Sequence, residues 1–153
     1  MELLISMYRL YKITPRLYIS SYRAAKKDKR LKNVGITAVV NLMEKEKGHI
    51  NKSTYEYLHK SLKDETYIQR NDLKEILDFI DEHIKNGKVL VHCHSGISRS
   101  GGIIVARLLQ EHHEWSWEQA KNYVRKITSI SPHPLIKESI LDYLESKEGE
   151  RRE

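Results

Sequence analysis

The chain's one cysteine, Cys93, is followed after five intervening residues by Arg99, in the run His92-Cys93-His94-Ser95-Gly96-Ile97-Ser98-Arg99-Ser100. Those residue types at that spacing can hold and attack a phosphate. Successive backbone N–H groups that run into a helix N-terminus form a concave, positively polarised cradle for an anion. Gly96, Gly101 and Gly102 remove side chains where the backbone must bend or pack closely. Arg99 can close the cradle with a planar fork that pairs two phosphate oxygens at once. Cys93, near the helix dipole and the arginine, is expected to have a lowered pKa and to stand largely as thiolate. A thiolate beneath a bound phosphate is an in-line nucleophile.

The flanking sequence supplies what such a loop needs for its position. Residues 88–92 (K-V-L-V-H) read as a buried strand, 93–98 as a tight polar loop, and a helix is predicted to start near Arg99. Residues 103–109 are apolar nearly all round, so this helix runs through the core and fixes the cradle on a rigid element. Other readings of the same residues fit less well. A lone cysteine is usually a small buried hydrophobe, but this one sits in a polar loop. His92-Cys93-His94 could suggest zinc; however, alternate strand positions point to opposite faces, and no second cysteine completes a structural site. No G-K-[ST] follows the glycines, so the loop is not that of a nucleoside-triphosphate site.

The run V-H-C-x-x-G-I-S-R-S resembles the signature of cysteine-dependent protein phosphatases of the protein tyrosine phosphatase superfamily, and most closely its dual-specificity branch. The resemblance implies an α/β fold with a central, mostly parallel sheet of four or five strands flanked by helices. It implies hydrolysis of phosphotyrosine and phosphoserine or phosphothreonine esters through a phosphocysteine intermediate, without metal or other cofactor. Residues 94–99 (His94, Ser95, Gly96, Ile97, Ser98 and Arg99) would bind the phosphate or another oxyanion. Ser100 would stabilise the released thiolate, and His92 would orient the loop and tune Cys93. A departing alkoxide or phenolate must be protonated by an acid held over the cradle. In the family this is an aspartate in a loop roughly thirty residues before the cysteine, a place that Asp64 matches. Glu65 and Asp72 are its competitors, and Asp72 is better explained as a residue near a helix N-terminus. The relatives usually carry an asparagine where this chain has His133, which therefore either replaces that brace of the phosphate loop or leaves it absent. The chain lacks the phosphotyrosine-recognition segment of the larger tyrosine-specific relatives, which implies a shallower cleft open to both ester classes. The alternatives within reach are an RNA 5′-triphosphatase of the same superfamily and a catalytically inactive phosphopeptide-binding module.

The whole chain allows this chemistry. Its 153 residues suit one domain, with 1–146 as the catalytic unit and 147–153 as a charged, frayed tail. Lys plus Arg is 27 against 21 for Asp plus Glu, a formal charge of +6, which fits anionic ligands such as phosphorylated proteins or peptides and does not by itself imply nucleic acid. One cysteine excludes an internal disulfide and suits a reducing, cytoplasmic compartment. No apolar run approaches the ~20 residues of a membrane span, and the start lacks the layout of a signal peptide. A monomer or weak dimer is expected.

In chain order, residues 1–12 carry no assigned function, although some relatives dimerise through such segments. Residues 13–20 alternate like one strand after a proline start. Residues 24–33 are predicted as a helix ended near Gly35, with a basic face (Lys26, Lys27, Lys29, Arg30, Lys32) that is solvated. Residues 36–42 read as a strand buried on both faces, 43–51 as a charged surface loop at the rim of the cleft, and 55–62 as a further strand. Leu73, Ile76, Leu77, Ile80 and Ile84 form an amphipathic helical stripe. Ser116 to Gln119 is a capping box opening a helix with Ala120, Tyr123, Val124 and Ile127 on one face. Trp115 and Trp117 are packing residues. Pro134 suits the first turn of the last helix.

Overall fold

A computed structural model describes residues 8–152; the expectations for residues 1–7 lie outside them. Five strands form one sheet in the order β1-β2-β5-β3-β4: β1 Tyr11–Thr14, β2 Leu17–Ser20, β3 Ala38–Asn41, β4 Glu56–His59 and β5 Val89–His92. β5 lies at the centre, parallel to β2 and β3; β4 is parallel to β3, and β1 alone runs antiparallel, against β2. The mostly parallel sheet expected from the sequence is therefore present.

The three inner strands are buried at every position, because helices cover both faces of the sheet. The two-residue period of a strand divides their side chains cleanly. Leu17, Ile19, Ala38, Val40, Val89 and Val91 enter the larger core, while Tyr18, Val39 and Leu90 enter the smaller one. The larger core is closed by α3 Arg70–Ile84, α4 Arg99–Glu111, α5 Trp117–Arg125 and α6 Pro134–Arg152. The smaller is covered by α1 Tyr22–Ala25 and α2 Asp28–Val34.

Several local predictions need correction. Residues 13–20 are a hairpin, since Pro15 cannot donate to a ladder and its fixed φ suits the turn at Pro15-Arg16. The helix predicted over 24–33 breaks at Lys26-Lys27. A continuous helix would place Asp28 and Lys29 on the face of Ala24 and Ala25; the break lets both alanines and Leu31 be buried together. Gly35 ends α2 at φ 91° as a left-handed cap. Tyr123 is 39% exposed, its hydroxyl donating to the Ile13 carbonyl at 3.1 Å. α6 runs on through the charged residues 147–152, where Glu150 pairs with Arg70 from α3 at 2.5 Å and with Lys147 at 3.4 Å. Trp117 is buried in the larger core and Trp115 packs against it, as expected of packing residues.

α4 is the helix that carries the phosphate loop, and its backbone approaches α6 closely. A Cβ on Gly102 would stand 2.6 Å from Ile136 Cγ2 and 3.3 Å from Ile140 Cδ1, both fully buried. Gly102→Ala gains up to ~1 kcal/mol of helix propensity but overpacks the core by about 1–3 kcal/mol. The expected outcome in urea denaturation is a lower midpoint with an unchanged slope, and an equal or higher midpoint would contradict this packing.

Candidate active site

Cys93 follows directly on β5, at the carboxyl end of the central strand, where parallel sheets present their ligands. It is 1% exposed, and its Sγ lies 3.2 Å from the Gly96 N–H and 3.1 Å from Ser100 Oγ. The loop curls back over its own sulfur through Gly96, at φ 77°. A Cβ there would come within 2.9 Å of the Ser20 backbone carbon and oxygen, so both the left-handed conformation and the contact with β2 require glycine.

The loop is held from outside. Tyr22 N–H donates to the His94 carbonyl at 3.0 Å, Ser131 N–H to the Ile97 carbonyl at 3.1 Å, and His133 N–H to Ser98 Oγ at 3.1 Å. The last contact matters most. Ser98 is the N-cap of α4, yet its side chain does not cap that helix. The first turn of α4 therefore keeps its N–H groups open to a ligand. His133 is shared between the loop and the start of α6. Its main chain braces the loop, and its ring Nδ1 accepts the Leu135 N–H at 3.1 Å at the start of α6.

Arg99 is 9% exposed; one terminal guanidinium nitrogen donates to the Leu62 carbonyl at 3.0 Å, and Nε is buried without a protein partner. An orphaned buried donor beside an uncapped helix end is what a bound oxyanion would satisfy. The Leu62 contact ties the loop after β4 to the cradle, and Asp64 stands two residues further, half-buried in a turn where its Oδ1 accepts the Glu65 N–H at 2.8 Å. Glu65 is exposed, at φ 62°. Asp72 is in the first turn of α3 and pairs with Lys60 at 3.3 Å. His94, Ser95 and Ile97 are exposed on the outer side of the loop.

Behind the loop stands a polar group of His92, His49 and Glu46, of which the sequence pattern singles out only His92. His92 is fully buried; its Nδ1 donates to the Cys93 carbonyl at 3.2 Å and its Nε2 lies 3.0 Å from His49 Nε2. Burial pushes the His92 pKa down to about 3, so the ring is neutral and Nε2 must accept from His49. Burial also lowers the pKa of His49, against the pull of Glu46. The Glu46 carboxylate resists burial through hydrogen bonds from Tyr57 and the Gly48 N–H, which together hold its pKa below the usual range. Residues 43–51 are thus not a free surface loop: Met43, Ile50 and the His49 ring are buried and fasten the rim to the cradle. A histidine inside a run of Glu and Lys gives no periodic signal.

Among the described residues, no group of three His, Cys, Asp or Glu side chains converges as a metal site, and no helix is long and apolar enough to cross a membrane. A cavity of about 930 Å³ lies between α3, α4 and the end of α6 and includes none of the site residues above. A second, of about 540 Å³, adjoins the phosphate loop.

With this geometry in view, residues 17–146 match the sequence profile of the dual specificity phosphatase catalytic domain. The chain belongs to the dual-specificity phosphatase family. It is 36% identical to Dual specificity protein phosphatase 1 of Homo sapiens over 122 residues, covering 77% of this chain and 32% of that protein. With Tyrosine-protein phosphatase yvh1 of Schizosaccharomyces pombe it shares 31% over 149 residues, 92% of this chain and 43% of that one. The chain thus spans a third to less than half of these curated relatives. Among solved structures, human tyrosine phosphatase-like serine/threonine/tyrosine-interacting protein superposes with a TM-score of 0.80 at 26% identity, covering 92% and 98% of the two chains. Tk-PTP in its active form gives 0.73 at 27%, covering 90% and 97%. The dual-specificity fold expected from the loop is the fold observed.

The buried His92 makes acid sensitivity testable. Its pKa is near 6.5 in an unfolded chain and about 3 in the folded one. Between those values the unfolded chain binds a proton that the folded chain does not, so stability falls as pH drops from about 6.5 towards 3. In urea titrations at pH 7, 5.5 and 4, His92→Gln is expected to show a shallower acid slope than the native protein. Equal slopes would mean that His92 does not carry this term.

Proposed function

We propose that this dual-specificity family member is a protein phosphatase that hydrolyses phosphotyrosine and phosphoserine or phosphothreonine esters through a phosphocysteine intermediate. The observation that carries the reading is Cys93 Sγ held against Ser100 in the uncapped first turn of α4, beside Arg99, whose buried Nε has no protein partner.

In the first step the Cys93 thiolate attacks phosphorus in line with the ester oxygen. The S–P bond forms, the P–O bond breaks, and the protonated Asp64 carboxyl gives its proton to the departing oxygen. In the second step Asp64, now a carboxylate, takes a proton from water as the water oxygen attacks phosphorus. The P–S bond breaks, inorganic phosphate leaves, and the returning thiolate is received by the Ser100 hydroxyl and the Gly96 N–H. Arg99 and the N–H groups of the loop and first helical turn stabilise the equatorial oxygens in both steps. His94, Ser95, Ile97 and Ser98 contribute main-chain groups to that cradle, while His92 holds the Cys93 carbonyl. This chemistry asks no metal or other cofactor of the protein. Its substrates are phosphorylated proteins or peptides, and the single thiol suits the cytoplasm.

The test is hydrolysis of a small aryl phosphate in excess EDTA with reduced protein. Turnover is expected for the native chain and absent for Cys93→Ser. Asp64→Asn should lower kcat by about 10²–10⁴ on a substrate with a poor leaving group. Phosphopeptide binding without turnover would replace the reading by a binding module, and release of phosphate only from 5′-triphosphorylated RNA would replace it by an RNA triphosphatase.

A further inference from the structure

The phosphate loop has two sides, and its outer side forms the wall of the cavity of about 540 Å³. Opposite that wall stand Tyr11 of β1, Ile19 of β2 and Ile127 just beyond α5. A cavity of this size, mostly apolar with a few polar groups at its edge, has the form of a ligand pocket. Ile97 supplies the decisive detail. Its carbonyl accepts the Ser131 N–H, but its side chain is 42% exposed, in a loop whose other exposed side chains are polar. None of the lining residues is acidic, and Arg23 and His94 add the only ionisable basic groups. The cavity is therefore suited to an apolar group carried on an anionic chain.

We propose that this pocket receives a bulky apolar side chain of the phosphorylated substrate, one or two residues from the phosphorylated one. The assignment rests on the phosphatase reading above. An extended peptide advances about 3.3 Å per residue, and residues 94–97 separate the two compartments by a single loop thickness. A phosphate in the cradle thereby brings the neighbouring side chains to the pocket's mouth. The pocket and the cradle share these four residues as a common wall, which is why its occupant is assigned to the substrate itself. Burial of one large apolar side chain favours binding by roughly 10- to 100-fold, so this pocket selects among phosphoproteins that the cradle alone treats alike.

The experiment uses phosphotyrosyl peptides in which a single leucine is moved through the two positions on either side of the phosphotyrosine, against an all-serine reference. A small aryl phosphate that cannot reach the pocket serves as the control. The native protein is expected to turn over at least one leucine peptide with a kcat/KM at least 10-fold above the reference. Ile127→Ser, which opens the wall, and Thr128→Trp, which fills the space, should each reduce that preference to about threefold or less. Both should leave kcat/KM on the aryl phosphate within about twofold. No leucine preference in a native protein that hydrolyses all the peptides overturns the pocket and leaves the phosphatase reading standing. Loss of aryl phosphate and peptide turnover in equal measure in both variants overturns it as well, since the residues would then only support the loop. If the native chain turns over nothing, fluorescence anisotropy of the same labelled peptides decides: a 10-fold affinity gain for one leucine position upholds the pocket, and equal affinities overturn it.

Discussion

A cradle made of backbone N–H groups works only while those groups have no acceptor of their own. An ordinary helix start ending in serine defeats this, because the hydroxyl folds over and accepts from the first turn. Here Ser98 Oγ is turned aside to take the His133 N–H, so α4 begins uncapped. The surroundings grip the loop by what an anion does not use: the carbonyls of His94 and Ile97 and the hydroxyl of Ser98. The N–H groups at the start of α4 are left without a side-chain cap, whereas that of Gly96 in the loop is committed to the sulfur.

That division explains why elements far apart in sequence converge on eight residues. β2 and α1 press on Gly96 and His94, the segment before α6 ties Ile97 and Ser98, and the loop after β4 reaches Arg99 through the Leu62 carbonyl. A buried neutral histidine holds the Cys93 carbonyl from below. Charge at that position would stand fully buried without a carboxylate in direct contact, a cost that burial itself prevents by lowering the pKa. The His49 ring then occupies the lone pair that neutrality leaves at His92 Nε2.

What the sequence revealed and what it concealed divide by the range of the cause. The strands 38–41 and 89–92 and the helix 70–84 were legible because burial on both faces or on one face writes a continuous or a 3.6-residue pattern. The phosphate loop was legible because its chemistry is confined to consecutive residues. The hairpin at Pro15-Arg16 and the break at Lys26-Lys27 were missed because each depends on which face of the finished sheet must be covered. His49 and Glu46 were invisible for a related reason: their partners, His92 and Tyr57, are 43 and 11 residues away. The continuation of α6 to Arg152 is accompanied by an ion pair between Glu150 and Arg70, 80 residues apart.

The loop and the space beside it are built under different constraints. Cys93, Gly96, Ser100 and the open start of α4 all lie within residues 93–100, while the fold around them is shared with Tk-PTP at 27% identity. The space beside the loop is instead bounded by β1, β2, α1 and the segment after α5, whose side chains no constraint of the cradle dictates. Tyr11 and Ile127 can change without touching an inward N–H group, whereas Gly96 cannot gain even a methyl group without displacing β2. The walls contributed by β1, β2 and the segment after α5 are free to vary, whereas the main chain of the loop at Gly96 is not.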